Sequence, residues 1–135
     1  MNQVFKALVI DDEPAARRLM KSLLLDHTDV VEVIGEAGTG TEAIQLIEQL
    51  HPDLVFLDIQ MPDLTGFEVL ERLQHKPNVI FTTAYEQYAI KAFDNFSVDY
   101  LLKPIKEERL EKSMAKLKQF GRLNQSVNIN GLQEI

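Results

Sequence analysis

The sequence predicts a doubly wound α/β domain, and three features of its 135 residues support that prediction. Five short apolar runs alternate along the chain with five segments of helical period. Two of these runs are continuously apolar, as expected of central parallel strands that helices cover on both faces. The length suits a single domain with a single core. We therefore expect a five-stranded parallel sheet with right-handed crossovers and helices on both faces.

The five predicted strands are rich in Val, Ile, Leu and Phe. They cover residues 5–10, 30–34, 54–57, 78–83 and 98–102. The continuous runs end the first strand and fill the third, so we place these two strands at the centre of the sheet. Val98, Asp99 and Tyr100 mix polar with apolar side chains, which is typical of an edge strand.

The segments after the strands carry apolar residues at the period of amphipathic helices. The predicted buried faces are Ala16, Leu19, Met20, Leu23 and Leu24; Ala43, Leu46, Ile47 and Leu50; Val69, Leu70 and Leu73; Tyr85, Tyr88, Ala89, Ala92, Phe93 and Phe96; and Leu110, Met114 and Leu117. After Leu117 the chain is rich in Asn, Gln, Ser and Gly and keeps no sustained period. We expect residues 1–120 to form the domain and residues 121–135 to be a linker stub or frayed tail.

Composition and charge exclude several classes of protein. The chain has no cysteine, which rules out disulfides, thiolate metal sites and cysteine nucleophiles. Its apolar runs are too short for a membrane span and its N-terminus leads into a strand, so we expect a soluble cytoplasmic protein without membrane association. Residues 1–102 carry 7 Lys and Arg against 17 Asp and Glu. That acidic balance disfavours direct binding of this chain to nucleic acid.

Chemistry-bearing residues follow four of the five predicted strands. Asp11, Asp12 and Glu13 follow the first strand, Asp58 the third, Thr82 and Thr83 close the fourth, and Lys103 follows the fifth. In open parallel sheets, ligands bind beyond the carboxyl ends of the strands, where the strand order reverses. If the first and third strands are neighbours, Asp11, Asp12 and Asp58 converge. Three carboxylates at such short distances require a counter-charge.

The converging oxygens are typical of a site for a hard cation. With no His or Cys among the candidate ligands, Mg²⁺ is the cation expected. Lys103 would supply a second positive charge, so that a carboxylate faces both a metal and an ammonium group. This arrangement suits attack on a phosphoryl group, and the Thr83 hydroxyl could then bind the product phosphate.

Each of these residues also has a structural interpretation when it is taken alone. Asp12 could cap the helix that follows it, and Asp58 could begin a turn. Lys103 could end a strand, and Thr83 could be present as a β-former. Their convergence at one edge of the sheet favours the chemical interpretation.

Four motifs, in order and at the usual spacing, resemble those of bacterial response-regulator receiver domains of two-component systems. They are VIDDEP, PDLVFLDIQMPDLTG, TTAY and DYLLKP, and the resemblance covers residues from about 4 to 120. It implies the receiver or flavodoxin-like strand order 2-1-3-4-5. It also implies a signalling switch that a sensor histidine kinase phosphorylates. Such a chain is a phosphoacceptor that assists its own phosphorylation and dephosphorylation, and is not an enzyme in the usual sense.

The resemblance implies a role for each matching residue at the phosphorylation site. Asp58 would be the phosphoacceptor. Asp12 would bind Mg²⁺ directly, Asp11 through water, and Gln60 through its backbone carbonyl. Thr83 and Lys103 would bind the phosphate.

Further roles implied by the resemblance concern switching and lifetime. The Lys103–Pro104 peptide bond is expected to be cis. Tyr100 would be the aromatic side chain that turns inward when Thr83 closes on the phosphoryl group. The side chains of Gln60 and Tyr85 would tune dephosphorylation by controlling the approach of water, although Tyr85 could instead simply begin the aromatic face of the fourth helix.

Within the family, AYEQYAIKAF followed by DYLLKP resembles receivers that are attached to LytTR-type DNA-binding domains. The resemblance therefore implies control of transcription through an output domain for which this chain has no room. It also implies a surface for homodimers, formed by the fourth helix, the fifth strand and the fifth helix.

Two other classes of protein share part of this pattern. An aspartyl phosphatase of the haloacid-dehalogenase type also uses an aspartate at a strand end with Mg²⁺, but it requires a second aspartate two residues on, where this chain has Gln60. A flavodoxin-like electron carrier would need a phosphate-binding loop after the first strand. There Asp11, Asp12 and Glu13 would repel the flavin phosphate.

Overall fold

A computed structural model, which describes residues 4–93 and 97–134, shows a five-stranded parallel sheet with helices on both faces. The strands are β1 (Phe5–Ile10), β2 (Val31–Ala37), β3 (Leu54–Asp58), β4 (Asn78–Thr83) and β5 (Asp99–Leu102). The helices are α1 (Pro14–Leu24), α2 (Gly40–Leu50), α3 (Gly66–Arg72), α4 (Glu86–Phe93) and α5 (Glu107–Glu134), and a short 3-10 helix covers Leu25–His27. The strand order is β2-β1-β3-β4-β5, which confirms the predicted fold.

Alternation along the strands divides the core into two layers, because successive side chains point to opposite faces of a sheet. On β1, Leu8 and Ile10 pack in the layer beneath α2 and α3. Ala7 and Val9 pack in the opposite layer, with buried side chains of α1 and α5. All five residues of β3 are buried, as its continuous apolar run predicts for a central strand.

The register of the central strands sets the position of the residues that follow them. Ile10 at the end of β1 pairs with Leu57 of β3, so Asp11 and Asp58 extend from neighbouring strands at the same level. On the other side of β3, Asp58 pairs with Thr82 of β4. The carboxyl ends of β1, β3 and β4 therefore meet at one edge.

Some predicted boundaries and faces differ from the structure. The second strand extends to Ala37, beyond its apolar run, because its register with β1 continues through Gly35 and Glu36. Leu19 and Leu50, which we expected on buried faces, are 44% and 41% exposed. The predicted fourth-helix stripe includes side chains at 89, 92, 93 and 96 that lie outside the described set.

The last helix is also longer than its hydrophobic pattern indicates. We expected regular structure to end after Leu117, whereas α5 continues to Glu134. Leu110, Met114 and Leu117 are core residues of α5, and the partly buried Phe120 packs against the same core layer. The absence of an apolar period is a poor guide to where α5 ends, because each further residue of an established helix adds one backbone hydrogen bond. That residues 121–135 link to another domain stays a prediction.

The fifth strand is at the edge of the sheet, as predicted, but its first residue is not an exposed edge residue. Asp99 is fully buried, and Arg109 of α5 binds both its carboxylate oxygens at 2.7 and 3.0 Å. Ser113 Oγ donates to the same carboxylate at 2.6 Å, and Lys116 Nζ at 3.2 Å. This polar cluster joins α5 to β5.

Among the helices of the described residues, none combines the length and the apolar character needed to cross a membrane.

Candidate functional site

The carboxyl ends of the strands border an open cavity of about 370 Å³. Its walls come from the ends of β1, β3, β4 and β5 and from the loops that follow them. The lining residues are Asp12, Glu13, Asp58, Gln60, Met61, Ala84, Tyr85 and Lys103. The structure therefore brings together most of the residues that the sequence analysis selected.

Lys103 lies at the centre of this site and links two carboxylates. Its Nζ is 2.7 Å from Asp11 Oδ2 and 3.4 Å from Asp58 Oδ2. Burial lowers the pKa of the Lys103 ammonium group, but the hydrogen bond to Asp11 and the negative charge of Asp58 outweigh it and raise the pKa above its usual value. Lys103 is therefore a fixed positive charge.

The backbone around this lysine is held by the neighbouring strand. The Lys103 amide donates to the Thr83 carbonyl at 2.8 Å. The Lys103–Pro104 peptide bond is cis, as the resemblance implies.

Asp58 is a buried carboxyl whose ionisation is disfavoured by its surroundings. Burial is the largest cause and the nearby Asp11 charge the second, and together they raise the pKa of Asp58 to about 7. The positive charge of Lys103 opposes this shift. A hydrogen bond with the Asp12 carboxyl favours the protonated form of Asp58. A cation beside these groups would favour the ionised form, which is the nucleophilic one.

The raised pKa predicts that Asp58→Asn stabilises the fold at alkaline pH. Because the folded-state pKa of about 7 exceeds the usual 3.8, the ionised Asp58 carboxylate costs stability above pH 7. We expect the variant to gain on the order of 1–3 kcal/mol in unfolding free energy at pH 8 without metal. The gain should shrink as the pH falls from 7 to 4, where the wild-type carboxyl becomes protonated. Urea unfolding across this pH range measures it, and a variant that is less stable than the wild type at pH 8 contradicts the prediction.

Three consecutive acidic residues after β1 form the tightest carboxylate cluster in the described part of the chain. Asp11, Asp12 and Glu13 each place a carboxylate oxygen within 4.8 Å of the other two. Glu13, a neighbour of the predicted ligands, belongs to this cluster, and Lys103 joins Asp58, a predicted ligand, to the Asp11 carboxylate. All of these donors are oxygens, so the residues fit a hard cation such as Mg²⁺.

The loop after β3 brings the Gln60 backbone to the same edge. The Gln60 amide donates to Asp58 Oδ1 at 3.2 Å, and this turn holds the Gln60 peptide beside the carboxylate. The Gln60 side chain reaches towards α4, where its Nε2 donates to Tyr88 Oη at 3.4 Å. The ring of Tyr85 packs edge-on against that of Tyr88, with centroids 5.9 Å apart. Gln60 and Tyr85 thus both line the cavity, and Tyr88, which the sequence analysis assigned only to packing, contacts both of them.

Thr83 closes β4 and is buried. Its hydroxyl oxygen accepts a hydrogen bond from the Tyr85 amide at 3.1 Å. Its position is one residue beyond Thr82, the ladder partner of Asp58. Thr83 does not itself line the cavity, but its hydroxyl is bound by the turn that leads to Tyr85, which does.

Tyr100 lies on β5, opposite Phe81, and is partly buried against the α2–α3 core layer. Its ring lies 5.3 Å from the guanidinium carbon of Arg109, and its carbonyl accepts a hydrogen bond from the same side chain at 2.9 Å. The structure places Tyr100 outside the cavity lining, in contact with the Asp99 cluster.

A second basic residue, Arg17 of α1, supports the acidic cluster. Arg17 of α1 donates to the Asp11 backbone carbonyl at 2.7 Å and to Glu36 of β2 at 2.9 Å. Lys21 binds the same Glu36 carboxylate. The turn after β1 is therefore tied to both α1 and β2.

Comparisons with known proteins agree with this geometry. The family model of the response regulator receiver domain matches residues 7–115. The transcriptional regulatory protein BtsR of Salmonella typhi is 47% identical over 118 residues, which cover 86% of this chain and 49% of that protein. The chain thus spans about half the length of the curated relatives it matches.

Solved structures of receiver domains have the same fold. The receiver domain of AraT from Geobacillus stearothermophilus is 31% identical, with a TM-score of 0.77 over 92% of this chain and 98% of that one. The receiver domain of a putative Luxo repressor from Vibrio parahaemolyticus is 28% identical, with a TM-score of 0.77 over 93% of this chain and 98% of that one. This chain belongs to the response regulator receiver domain family of two-component signalling.

Proposed function

We propose that Asp58 accepts a phosphoryl group from a phosphohistidine of a sensor histidine kinase. An Asp58 carboxylate oxygen attacks phosphorus, the P–N bond to the imidazole breaks, and the imidazole nitrogen keeps the electron pair and takes up a proton. The product is an acyl phosphate. The observation that supports this reaction best is the position of Lys103, whose ammonium group contacts Asp58 directly and can also contact the oxygens of an arriving phosphoryl group.

Mg²⁺ is the cofactor that we propose for this step. Receiver domains generally bind it, and the residues of this chain that would hold it are Asp11, Asp12, Asp58 and the Gln60 carbonyl, with Glu13 beside them. When bound, the ion would neutralise charge on the phosphoryl oxygens and on the carboxylates. The chain supplies the rest: Lys103 binds the transferred group, and Thr83 donates its hydroxyl to a phosphate oxygen.

Each chain would carry one phosphoryl group and then lose it to water, which makes the protein a switch and not a turnover enzyme. Gln60 and Tyr85 line the cavity mouth, where an attacking water must pass, and this location supports their role in setting the lifetime. An aspartyl phosphatase of the haloacid-dehalogenase type would need an aspartate two residues after Asp58, where this chain has Gln60. The flavin alternative would place a phosphate against the acidic cluster after β1.

The proposed output of the switch is transcription. The relatives named transcriptional regulatory protein are about twice as long as the chain, which supports a DNA-binding partner domain, of the LytTR type by the sequence motifs. Phosphorylation would draw Thr83 towards Asp58 and shift the population of Tyr100 conformations on β5. The surface of α4, β5 and α5 would report that shift, and homodimers through this surface are part of the proposal.

Incubation with acetyl phosphate and MgCl₂, followed by intact mass, tests the proposed reaction. We expect the mass of one phosphoryl group on the wild type, and none on Asp58→Asn or when EDTA replaces the metal. Asp53→Asn is the matched control, because Asp53 is a loop aspartate at the opposite end of β3, next to Leu54. A full mass shift in Asp58→Asn would contradict the proposal.

A further inference from the structure

Asp63 lies in the loop between β3 and α3, outside the cavity lining, yet it is among the most heavily hydrogen-bonded carboxylates described. Its Oδ1 accepts from the amides of Gly40 and Leu64 at 2.8 and 2.9 Å. Its Oδ2 accepts from the amide and the hydroxyl of Thr41, both at 2.9 Å. These donors, led by the Gly40 and Thr41 amides, lower the pKa of Asp63 to about 2. Asp63 is therefore an ionised carboxylate at the start of α2.

The contact joins two segments that are far apart in sequence. The first turn of α2 leaves its amides without partners inside the helix. The side chain of Thr39, the helix's own N-cap, accepts from the Glu42 amide at 3.1 Å and leaves the Gly40 and Thr41 amides to other acceptors. Asp63 satisfies the Gly40 and Thr41 amides from the neighbouring loop, and a carboxylate is favoured at this positive end of the helix.

Packing brings the same loop against α2. A Cβ atom added at Gly40 would lie 2.6 Å from Leu64 Cβ, so the close approach requires glycine at this position. The loop and the helix therefore meet through a pair of features, the Asp63 hydrogen bonds and the Gly40–Leu64 contact.

The loop is anchored at its ends and at Asp63. At its start, the Ile59 amide donates to the Thr82 carbonyl at 3.0 Å. At its end, the Gly66 amide donates back to the Ile59 carbonyl at 2.8 Å. Between these ends lies Gln60, whose carbonyl is a proposed metal ligand, and the Asp63 contact fixes the outer turn of the same loop.

We propose that Asp63 is a positioning residue for the phosphorylation site, which holds the Gln60 carbonyl in place for the metal by tying its loop to α2. The inference rests on the proposed function, since it assumes that Gln60 binds Mg²⁺. It assigns a role in metal affinity to a side chain that would touch neither the metal nor the phosphoryl group. Groups that hydrogen-bond a metal ligand commonly change metal affinity by about 10- to 100-fold when they are removed, and a residue that acts through the loop is expected at the lower end of that range.

The test is a MgCl₂ titration followed by NMR amide shifts, which gives the dissociation constant without any phosphorylation step. We expect Asp63→Ala to bind Mg²⁺ roughly tenfold more weakly than the wild type. The Mg²⁺ affinity of Asp63→Asn should lie between those of the wild type and Asp63→Ala. The amide oxygen of asparagine can still accept from the Gly40 amide, whereas the second acceptor oxygen, which binds Thr41, is lost. A dissociation constant for Asp63→Ala equal to that of the wild type overturns the inference.

Asp53→Ala is the matched control for the loss of a loop carboxylate. Asp53 Oδ2 accepts from the Lys6 amide at 2.9 Å, so its removal also deletes a bond between a loop carboxylate and a remote backbone amide. The Mg²⁺ affinity of this variant should equal that of the wild type even if its stability falls. An equal loss of affinity in both variants would mean that general destabilisation is the cause, and would contradict the inference.

Gly40→Ala provides an independent variant if Asp63→Ala does not fold. It keeps the carboxylate but forces Leu64 away from α2, so we expect weaker Mg²⁺ binding and faster hydrogen exchange of the Leu64 amide. Wild-type affinity in a folded Gly40→Ala protein would contradict the inference. Failure of the proposed function would look different, because the wild type itself would then show no saturable Mg²⁺ binding and no phosphorylation.

Discussion

Lys103→Ala is expected to slow phosphorylation by acetyl phosphate at least about a hundredfold, the usual effect of removing one group that stabilises a transition state by charge. In the folded protein the Lys103 ammonium group contacts Asp11 and Asp58 and faces the cavity. Without it, the transferred phosphoryl oxygens would lose one of their two proposed positive partners. The rate is measured by intact mass against time at saturating MgCl₂.

The same variant should bind Mg²⁺ more tightly than the wild type. Removing Lys103 leaves Asp11 and Asp58 buried without their cation, so an added divalent ion gains attraction and loses a repelling neighbour. We therefore expect MgCl₂ to raise the melting temperature of the variant more than that of the wild type. Lys103→Arg is the control, because it keeps the charge. Weaker Mg²⁺ binding in Lys103→Ala would show that the lysine acts by holding the site together and not by its charge.

Arg109→Ala should lower the free energy of unfolding by about 3 kcal/mol, since it leaves a buried carboxylate without its main partner. Asp99 is fully buried, and Arg109 makes the bidentate contact to it as well as a hydrogen bond to the Tyr100 carbonyl. Ser113 and Lys116 would still contact Asp99 in the variant. The expected loss of unfolding free energy is therefore at the lower end of the range for broken buried ion pairs. Urea unfolding at pH 7 measures the difference.

The pH dependence of this loss distinguishes an ion pair from simple packing. Burial disfavours the charged form of Asp99, but the bonds from Arg109 and Ser113 outweigh it and lower its pKa to about 2. Because the folded-state pKa is below the usual 3.8, the stabilisation is present above pH 4 and disappears as the pH falls towards 2. The difference in unfolding free energy between the wild type and Arg109→Ala should therefore shrink as the pH falls from 4 towards 2.

Lys116→Ala is the matched control for the buried pair. Lys116 contacts the same carboxylate, but its side chain is half exposed, so we expect a loss below about 1 kcal/mol. If the two variants lose equal stability at pH 7, the bidentate contact of Arg109 does not carry the stabilisation assigned to it.

The parts of the fold that the sequence predicts well are those in which burial follows a simple period. The run Leu54–Leu57 must be covered on both faces, and it forms the central strand β3. Leu110, Met114 and Leu117 repeat at helical spacing, and they form the buried stripe of α5. The site could be predicted for a related reason, because residues at the carboxyl ends of neighbouring parallel strands must meet.

Contacts that join remote segments could not be predicted in the same way. Asp99 looks like an ordinary edge residue in the sequence, and its burial depends on Arg109 and Ser113 of α5. One signal was available, since these partners are four residues apart and flank the apolar stripe of their helix. Asp63 offered no comparable signal, because its partners in α2 depend on how two loops pack. The exposure of Leu19 could not be predicted either, because it depends on which parts of α1 the neighbouring helices and strands cover.

Borohydride trapping identifies the phosphoacceptor most directly. The reagent reduces an acyl phosphate to an alcohol, so an aspartyl phosphate becomes homoserine, which peptide mass mapping can locate. After treatment with acetyl phosphate and MgCl₂, we expect homoserine at position 58 and an unmodified Asp11 and Asp12. Homoserine at another aspartate, or a phosphoryl group that survives on a hydroxyl or imidazole side chain, would contradict the assignment of Asp58 as the phosphoacceptor.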